Sequence, residues 1–290
     1  MKKVIVIVGP TGSGKSALAI RLAKMFDGEI INGDSVQVYR GLDIGSAKVT
    51  EEDKEGITHH LLDIRDPGES YAVYQFQQDA RQLIKDIKLP IIVGGTGLYI
   101  KAALYDYVFD DPQRSEAFEA TFQDKNTEEL AAMLHQLDPE LDIKEMNRRR
   151  LLRALAMAHD GSKRSSKNGK NTPLYDNLIL YLDLDRDLLE KRLEERLEKM
   201  FHQGLIDEVQ ALKKQGIEIN AIGYRELFLY LDGKISLEDA KIDIVKHSRR
   251  LAKKQKTWFT NQMQTVVLNA LDPDLDIKAK VLIDDFLEGA

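Results

Sequence analysis

Cysteine is absent from the 290 residues, and with it go structural disulfides, Cys-ligated zinc and a thiol nucleophile. Long hydrophobic runs are missing too. The apolar stretch that follows Met1-Lys2-Lys3 ends at Gly9-Pro10, too short for the apolar region of a signal peptide. No later run approaches the roughly 18 residues needed to span a bilayer. A soluble, cytoplasmic protein without membrane contact is expected. Nor is the composition extreme: 43% apolar and 31% charged residues exclude a disordered tail, a collagen-like repeat and a disulfide-stapled miniprotein. A single domain runs to about 250 residues, so this length predicts one large core with a smaller inserted body.

What is plentiful is charge, and it is unevenly placed. The chain has 42 Lys+Arg against 48 Asp+Glu, for a net charge of −6. Residues 144–170 hold nine Lys/Arg and two acids, and residues 246–256 hold six Lys/Arg and no acid. An otherwise acidic chain therefore concentrates its cations in two stretches. On a helix of about 100° per residue, Lys246, Arg249, Arg250, Lys253, Lys254 and Lys256 share an arc opposite Ile244, Val245, Leu251, Ala252 and Trp258. Arg149, Arg150 and Arg153 likewise lie opposite Leu151, Leu152, Leu155 and Ala158. A solvated helix face is the bland explanation, but neither face has acids at i±3 or i±4 within residues 147–159 or 246–256 to neutralise it. A polyanion such as RNA is the natural partner.

Val4 to Val8 is a β-branched run closed by Gly-Pro, a buried strand, and Ser16 to Met25 has helical spacing. Further strands are expected at Glu29 to Asn32, His60 to Ile64, Pro90 to Gly94, Leu178 to Leu184 and Thr265 to Asn269, with helices between most of them. Alternating strand and helix predicts an α/β fold, a mostly parallel sheet with helices on both faces. Asp111 to Asp176 breaks the rhythm. It is polar and helical, with Asn126 and Glu129 in capping-box positions and a Ser/Lys/Gly/Asn-rich loop from Gly161 to Thr172. The expected organisation is an α/β core of residues 1–110 and 177–290 with a helical insertion at 111–176.

Gly9-Pro10-Thr11-Gly12-Ser13-Gly14-Lys15-Ser16 fits G-x-x-x-x-G-K-[ST] between an expected strand and an expected helix, the context a phosphate-binding P-loop requires. Backbone N–H groups and the helix N-terminus would cradle a phosphate, Lys15 would neutralise it, and the Ser16 hydroxyl would ligate Mg²⁺. Asp34 follows the second strand at the edge where open α/β sheets bind ligands. It suits a general base, a water-mediated Mg²⁺ contact or a turn cap. Thr96, in Gly94-Gly95-Thr96-Gly97 after another strand, suits either the same crevice or a helix cap.

The run from Asp34 to Lys48 (DSVQVYRGLDIGSAK) resembles the tRNA dimethylallyltransferase family (tRNA isopentenyltransferases, bacterial type). So do His59-His60-Leu61-Leu62-Asp63 with Asp66-Pro67, Gly94 to Tyr99 (GGTGLY), Arg149 to Leu155 (RRLLRAL), Gly204 to Val209 (GLIDEV), Gly223-Tyr224-Arg225-Glu226 and Lys253 to Trp258 (KKQKTW). These seven motifs and the P-loop occur in family order over most of the chain. The loop Ser162 to Asn171 has no family pattern, and Thr260 stands where the family often has arginine.

The resemblance implies a P-loop NTPase-like core and transfer of a dimethylallyl group from dimethylallyl diphosphate to the exocyclic amine of the adenine 3′ of a tRNA anticodon. It implies diphosphate contacts from the P-loop and Arg225, with Lys15, Arg225, Asp34 and Thr96 as the catalytic set and Asp34 as base. It places Asp34, Ser35, Val36, Gln37, Thr96, Arg149, Arg150, Leu151, Leu152, Arg153, Lys253 and Lys254 against the tRNA anticodon stem-loop, where the two cationic faces, Arg249 and Arg250 included, would hold the RNA backbone. Gln37 would present an amide to an adenine edge or remain a solvent-facing turn residue. A stacked base cannot react, so the adenine must be extruded into the pocket. Mg²⁺ is the expected cofactor and a monomer the expected state. The competing reading is a small-molecule P-loop kinase with Asp34 activating an acceptor hydroxyl.

Overall fold

A computed structural model describes residues 1–107, 116–143, 146–159, 161, 163, 165 and 172–289. The expected boundary at 110/111, and the 162–171 loop apart from residues 163 and 165, lie outside the described residues. The described strands are β1 (Lys3–Val8), β2 (Glu29–Asn32), β3 (His59–His60), β4 (Pro90–Gly94), β5 (Asp176–Asp183) and β6 (Val266–Asn269). They form one sheet in the order β3-β2-β4-β1-β5-β6, with every pairing parallel. Strand β3 is shorter than the His60 to Ile64 expectation. Leu61 and Asp63 take φ of 62° and 55°, left-handed backbone that cannot continue a pleated ladder.

Parallel neighbours need crossovers, and helices supply them: α1 (Lys15–Phe26), α2 (Glu51–Lys54), α3 (Val73–Asp86) and α4 (Gly97–Leu104). Ile5, Ile7, Ile91, Leu180 and Leu182 meet Leu18 and Leu22 of α1 in one core cluster. The alternate strand residues Val4, Val6, Val8 and Ile92 are equally inaccessible. Strand side chains alternate between faces, so the sheet is covered on both sides.

The chain divides into two compact units, Met1–Leu104 with Leu174–Ala290, and Tyr105–Pro173. The smaller unit contains α5 (Glu116–Ala120), α6 (Thr127–Leu137) and α7 (Arg148–His159). Its capping box forms as expected: Asn126 Oδ1 accepts from Glu129 N at 2.9 Å and Glu129 Oε2 accepts from Asn126 N at 2.8 Å. Leu151 and Leu152, expected against RNA, have their side chains in the core of this unit instead. They are 0% and 6% exposed and pack with Leu130, Leu134 and Leu155, the apolar stripe on which α7 depends for its stability.

The larger unit continues with α8 (Arg186–His202), α9 (Leu205–Lys214), α10 (Tyr224–Leu231), α11 (Leu237–Gln262) and α12 (Leu275–Glu288). Helices α8 to α11 share a second core built from Leu197, Val209, Tyr224, Leu227 and Ile244. Into it the loop after β2 sends Val36, Tyr39, Leu42 and Ile44. The segment carrying Asp34 is thus held between the sheet and a helical lobe.

Candidate active site

The P-loop leaves β1 at its carboxyl end and turns into α1 through Gly14, whose φ of 84° is left-handed backbone that a Cβ would strain. Lys15 is half-buried, with Nζ donating to Pro10 O at 3.3 Å. Its pKa is lowered to about 8, chiefly by desolvation and also by the nearby Arg196, with Asp34 opposing both. Arg196 is itself lowered to about 10 by burial, again opposed by Asp34. Its helix neighbour Arg192 donates from Nη1 to Gly12 O at 3.1 Å. Two desolvated cations beside the N-terminus of α1 suit an anion such as phosphate.

Arg192 and Arg196 are absent from the sequence-based expectations. Their signal is the i, i+4 spacing on one side of α8, a helix that starts just beyond the carboxyl end of β5 and is capped by Asp185 Oδ1 on Asp187 N at 2.9 Å. Among the described residues no group of three or more His, Asp or Glu side chains could hold a metal. The oxygens present, the exposed Ser16 hydroxyl and the Asp34 carboxylate, suit a hard cation that takes most of its ligands from substrate phosphate and water.

Asp34 and Thr96 emerge from β2 and β4, neighbours in the sheet. Asp34 Oδ1 accepts from Val36 N at 2.8 Å, so one oxygen caps the turn. Oδ2 accepts no hydrogen bond among the described residues. Asn32 locks the turn from below: Oδ1 accepts from Asp34 N, and Nδ2 donates to Asp34 O and Leu61 O, all at 3.0 Å. The Thr96 carbonyl opens α4 by accepting from Tyr99 N at 3.0 Å. Its hydroxyl turns instead to Ser35, accepting from Ser35 N at 3.2 Å and lying 3.3 Å from Ser35 Oγ. The hydroxyl therefore does not cap α4, and Thr96 lies on the wall of the larger cavity described below.

The rest of the 34–48 loop is pinned. Lys48 Nζ donates to Tyr39 O at 2.7 Å, Asp43 Oδ1 at 2.6 Å and Asp63 Oδ1 at 2.5 Å. Gln37 Nε2 donates to Ser46 O at 3.1 Å and Ala47 O at 3.2 Å, so this amide secures the loop.

Two adjoining cavities meet at Asp34. The smaller, about 210 Å³, is lined by Gly12, Gly14, Lys15, Ser16, Asn32 and Gln37. The larger, about 540 Å³, has Ser35, Val36 and Thr96 on one side and Leu193, Leu197, Met200, Tyr224 and Ile244 among its apolar lining. Thr11, Asp34, Ser46 and Arg196 line both. Helix α11 closes part of the larger one: Gln255 Nε2 donates to Gly95 O at 2.9 Å, and Lys254, Trp258 and Leu251 line it. Leu251, placed with the packed face by the helical wheel, is 42% exposed and belongs to this lining.

Arg225 is not among the residues lining either cavity. Its Nη2 donates to Glu226 Oε1 at 2.5 Å and lies 3.1 Å from His247 Nδ1. On α11, Arg249 pairs with Glu190, Lys246 with Asp243 and Lys256 with Asp183. That leaves Arg250, Lys253 and Lys254 exposed and without ion pairs among the described residues. On α7, Arg149, Arg150 and Arg153 are exposed and likewise unpaired.

The family described as IPP transferase matches residues 37–262. A tRNA dimethylallyltransferase of Acholeplasma laidlawii is 49% identical over 275 residues, 95% of each chain. The crystal structure of a tRNA delta(2)-isopentenylpyrophosphate transferase of Staphylococcus epidermidis is similar over 100% of both chains, with TM-score 0.75 and 39% identity. A eukaryotic dimethylallyltransferase crystallised acting on tRNA gives TM-score 0.85 at 28% identity, over 100% of this chain and 80% of that one.

Proposed function

The chain belongs to the IPP transferase family, and we propose that it transfers a dimethylallyl group from dimethylallyl diphosphate to the exocyclic amine of the adenine 3′ of a tRNA anticodon. The observation that carries this reading is the meeting of the two cavities at Asp34. The diphosphate lies in the smaller cavity against Lys15, Arg196 and the P-loop amides. The five-carbon group reaches the apolar wall of the larger one, where the extruded adenine meets it. The match to tRNA dimethylallyltransferases runs over nearly the whole chain, so the kinase reading loses its support.

As the allylic C–O bond breaks, its electron pair leaves with the diphosphate, and the amine nitrogen forms the new C–N bond. Donors already aimed at the departing charge lower this barrier more than any other contribution. Lys15 and Arg196 arrive desolvated, so their fields act at low dielectric. Arg225, which the family resemblance places at the diphosphate, is tied to Glu226 and His247 and lines neither cavity, so it is given no part in this step. Ser16 would hold Mg²⁺, which would supply neutralising charge at the diphosphate. Asp34 Oδ2 takes the proton released by the amine. Thr96, tied to Ser35, holds its hydroxyl beside the reacting atoms. Exposed Arg149, Arg150 and Arg153, and Arg250, Lys253 and Lys254, neutralise RNA phosphates.

Labelled dimethylallyl diphosphate offered with tRNA, AMP or ATP tests the reading. Label entering only tRNA, with one diphosphate released per group transferred, is expected. Label on the free nucleotides, or phosphate transfer from ATP with no prenyl transfer, would replace it.

A further inference from the structure

The loop that carries Asp34 is held from the far side by one carboxylate. Glu208, in the first turn of α9, accepts four hydrogen bonds. Its Oε2 takes Asp43 N at 2.9 Å and Ile44 N at 2.8 Å; its Oε1 takes Gly45 N at 3.0 Å and Tyr224 Oη at 2.7 Å. Three consecutive backbone N–H groups converging on one anion form a nest, here filled by the protein's own side chain. The fit is close. A Cβ on Gly45 would come within 2.6 Å of the Tyr224 ring, so the loop has been brought against α10 as tightly as glycine permits.

We propose that Glu208 is a positioning residue for the transfer reaction, clamping residues 43–45 to α9 and α10 so that the turn bearing Asp34 faces the apolar wall of the larger cavity. This rests on the reading of Asp34 as the base. Val36, Tyr39, Leu42 and Ile44 pack into the α8–α11 core, but apolar packing fixes depth better than direction. The four directional bonds fix the azimuth. A carboxylate is needed, because all four groups facing it are donors. A glutamine would turn an NH₂ toward two of them whichever way its amide lay.

The test compares Glu208→Gln with Val209→Ala, which truncates a fully buried neighbour on the same helix and serves as a control for lost stability. Amide exchange reads the clamp without reference to activity. The N–H groups of Asp43, Ile44 and Gly45 should be protected in the wild type and in Val209→Ala, and should exchange about tenfold or more faster in Glu208→Gln. In single-turnover transfer to tRNA, Glu208→Gln should lose on the order of 10- to 100-fold in rate. Its KM for dimethylallyl diphosphate should stay within about threefold, because the P-loop is untouched.

Wild-type amides that exchange freely would overturn the clamp. Amides released without a loss of rate beyond that of Val209→Ala would overturn the positioning role, as would a loss confined to KM. A wild-type enzyme with protected amides but no transfer to tRNA would instead remove the reading of Asp34 and, with it, this role.

Discussion

The two cavities share Thr11, Asp34, Ser46 and Arg196 and differ in the rest of their lining. The smaller one is walled in part by the eight-residue P-loop motif and the start of α1. The larger one is assembled from α8, α9, α10 and α11, whose residues lie more than 150 positions away in the chain. Apart from Arg196, the first is lined by residues 11–94, whereas most of the lining of the second comes from residues 193–259. The difference separates two tasks, holding a leaving anion and surrounding a hydrocarbon beside a base, and each can be damaged alone.

The largest expected loss comes from the shared residue. Asp34→Asn keeps shape and removes basicity, and transfer should fall on the order of 10²- to 10⁴-fold, read as the single-turnover rate. Lys15→Ala strikes the smaller cavity. Losing a charge-assisted contact to a developing anion costs about 3 kcal/mol, roughly a hundredfold in rate. Arg196→Ala should follow in the same direction. Wild-type turnover in either variant would remove that cation from the diphosphate site.

Titration of Lys15 offers a milder separation. Its pKa is lowered to about 8 in the free protein, so below pH 8 the ammonium is present and above it the side chain loses its charge. Binding an anion requires the charged form. Dimethylallyl diphosphate affinity should therefore weaken by up to about tenfold per pH unit between pH 8 and 10, and Lys15→Arg should flatten the profile. An unchanged profile in Lys15→Arg would place the titrating group elsewhere.

The smallest effects concern RNA. Each lost phosphate contact should flatten the log–log salt dependence of tRNA affinity by about 0.7. Gln substitutions at Arg149, Arg150 and Arg153 together should remove about two units by that figure, as should Gln at Arg250, Lys253 and Lys254. Arg249→Gln should leave the slope alone and cost at most about 1 kcal/mol of stability, because its partner is Glu190. A flattened slope in Arg249→Gln would return that residue to the RNA face.

The two basic helices show where reading the chain succeeds and stops. Both cationic faces were visible as wheel patterns, since periodicity is local. Glu190 lies 59 residues from Arg249, so no count of acids at i±4 could find the pair. For the same reason Leu251 reached the cavity lining although the wheel placed it in the packed face, and Arg192 and Arg196 went unnoticed on a helix with no motif. The strands β2 and β4 have the bounds their apolar runs and Gly/Pro punctuation predict. Strand β3 does not, because nothing in Leu61 or Asp63 announces left-handed backbone. Leu151 and Leu152 were placed against RNA by motif likeness alone; their own alternation with arginines already described a core-facing stripe.

Asp34→Asn, measured two ways on one preparation, tests most directly the claim that the cavities divide the work around that carboxylate. Dimethylallyl diphosphate and tRNA are each titrated by calorimetry, and transfer is then followed by rapid quench with both substrates saturating. Both affinities within a few fold of wild type, with transfer slowed by on the order of 10² or more, is the predicted result. Collapsed binding of either substrate with the rate of the bound complex intact would make Asp34 a binding residue and contradict the account.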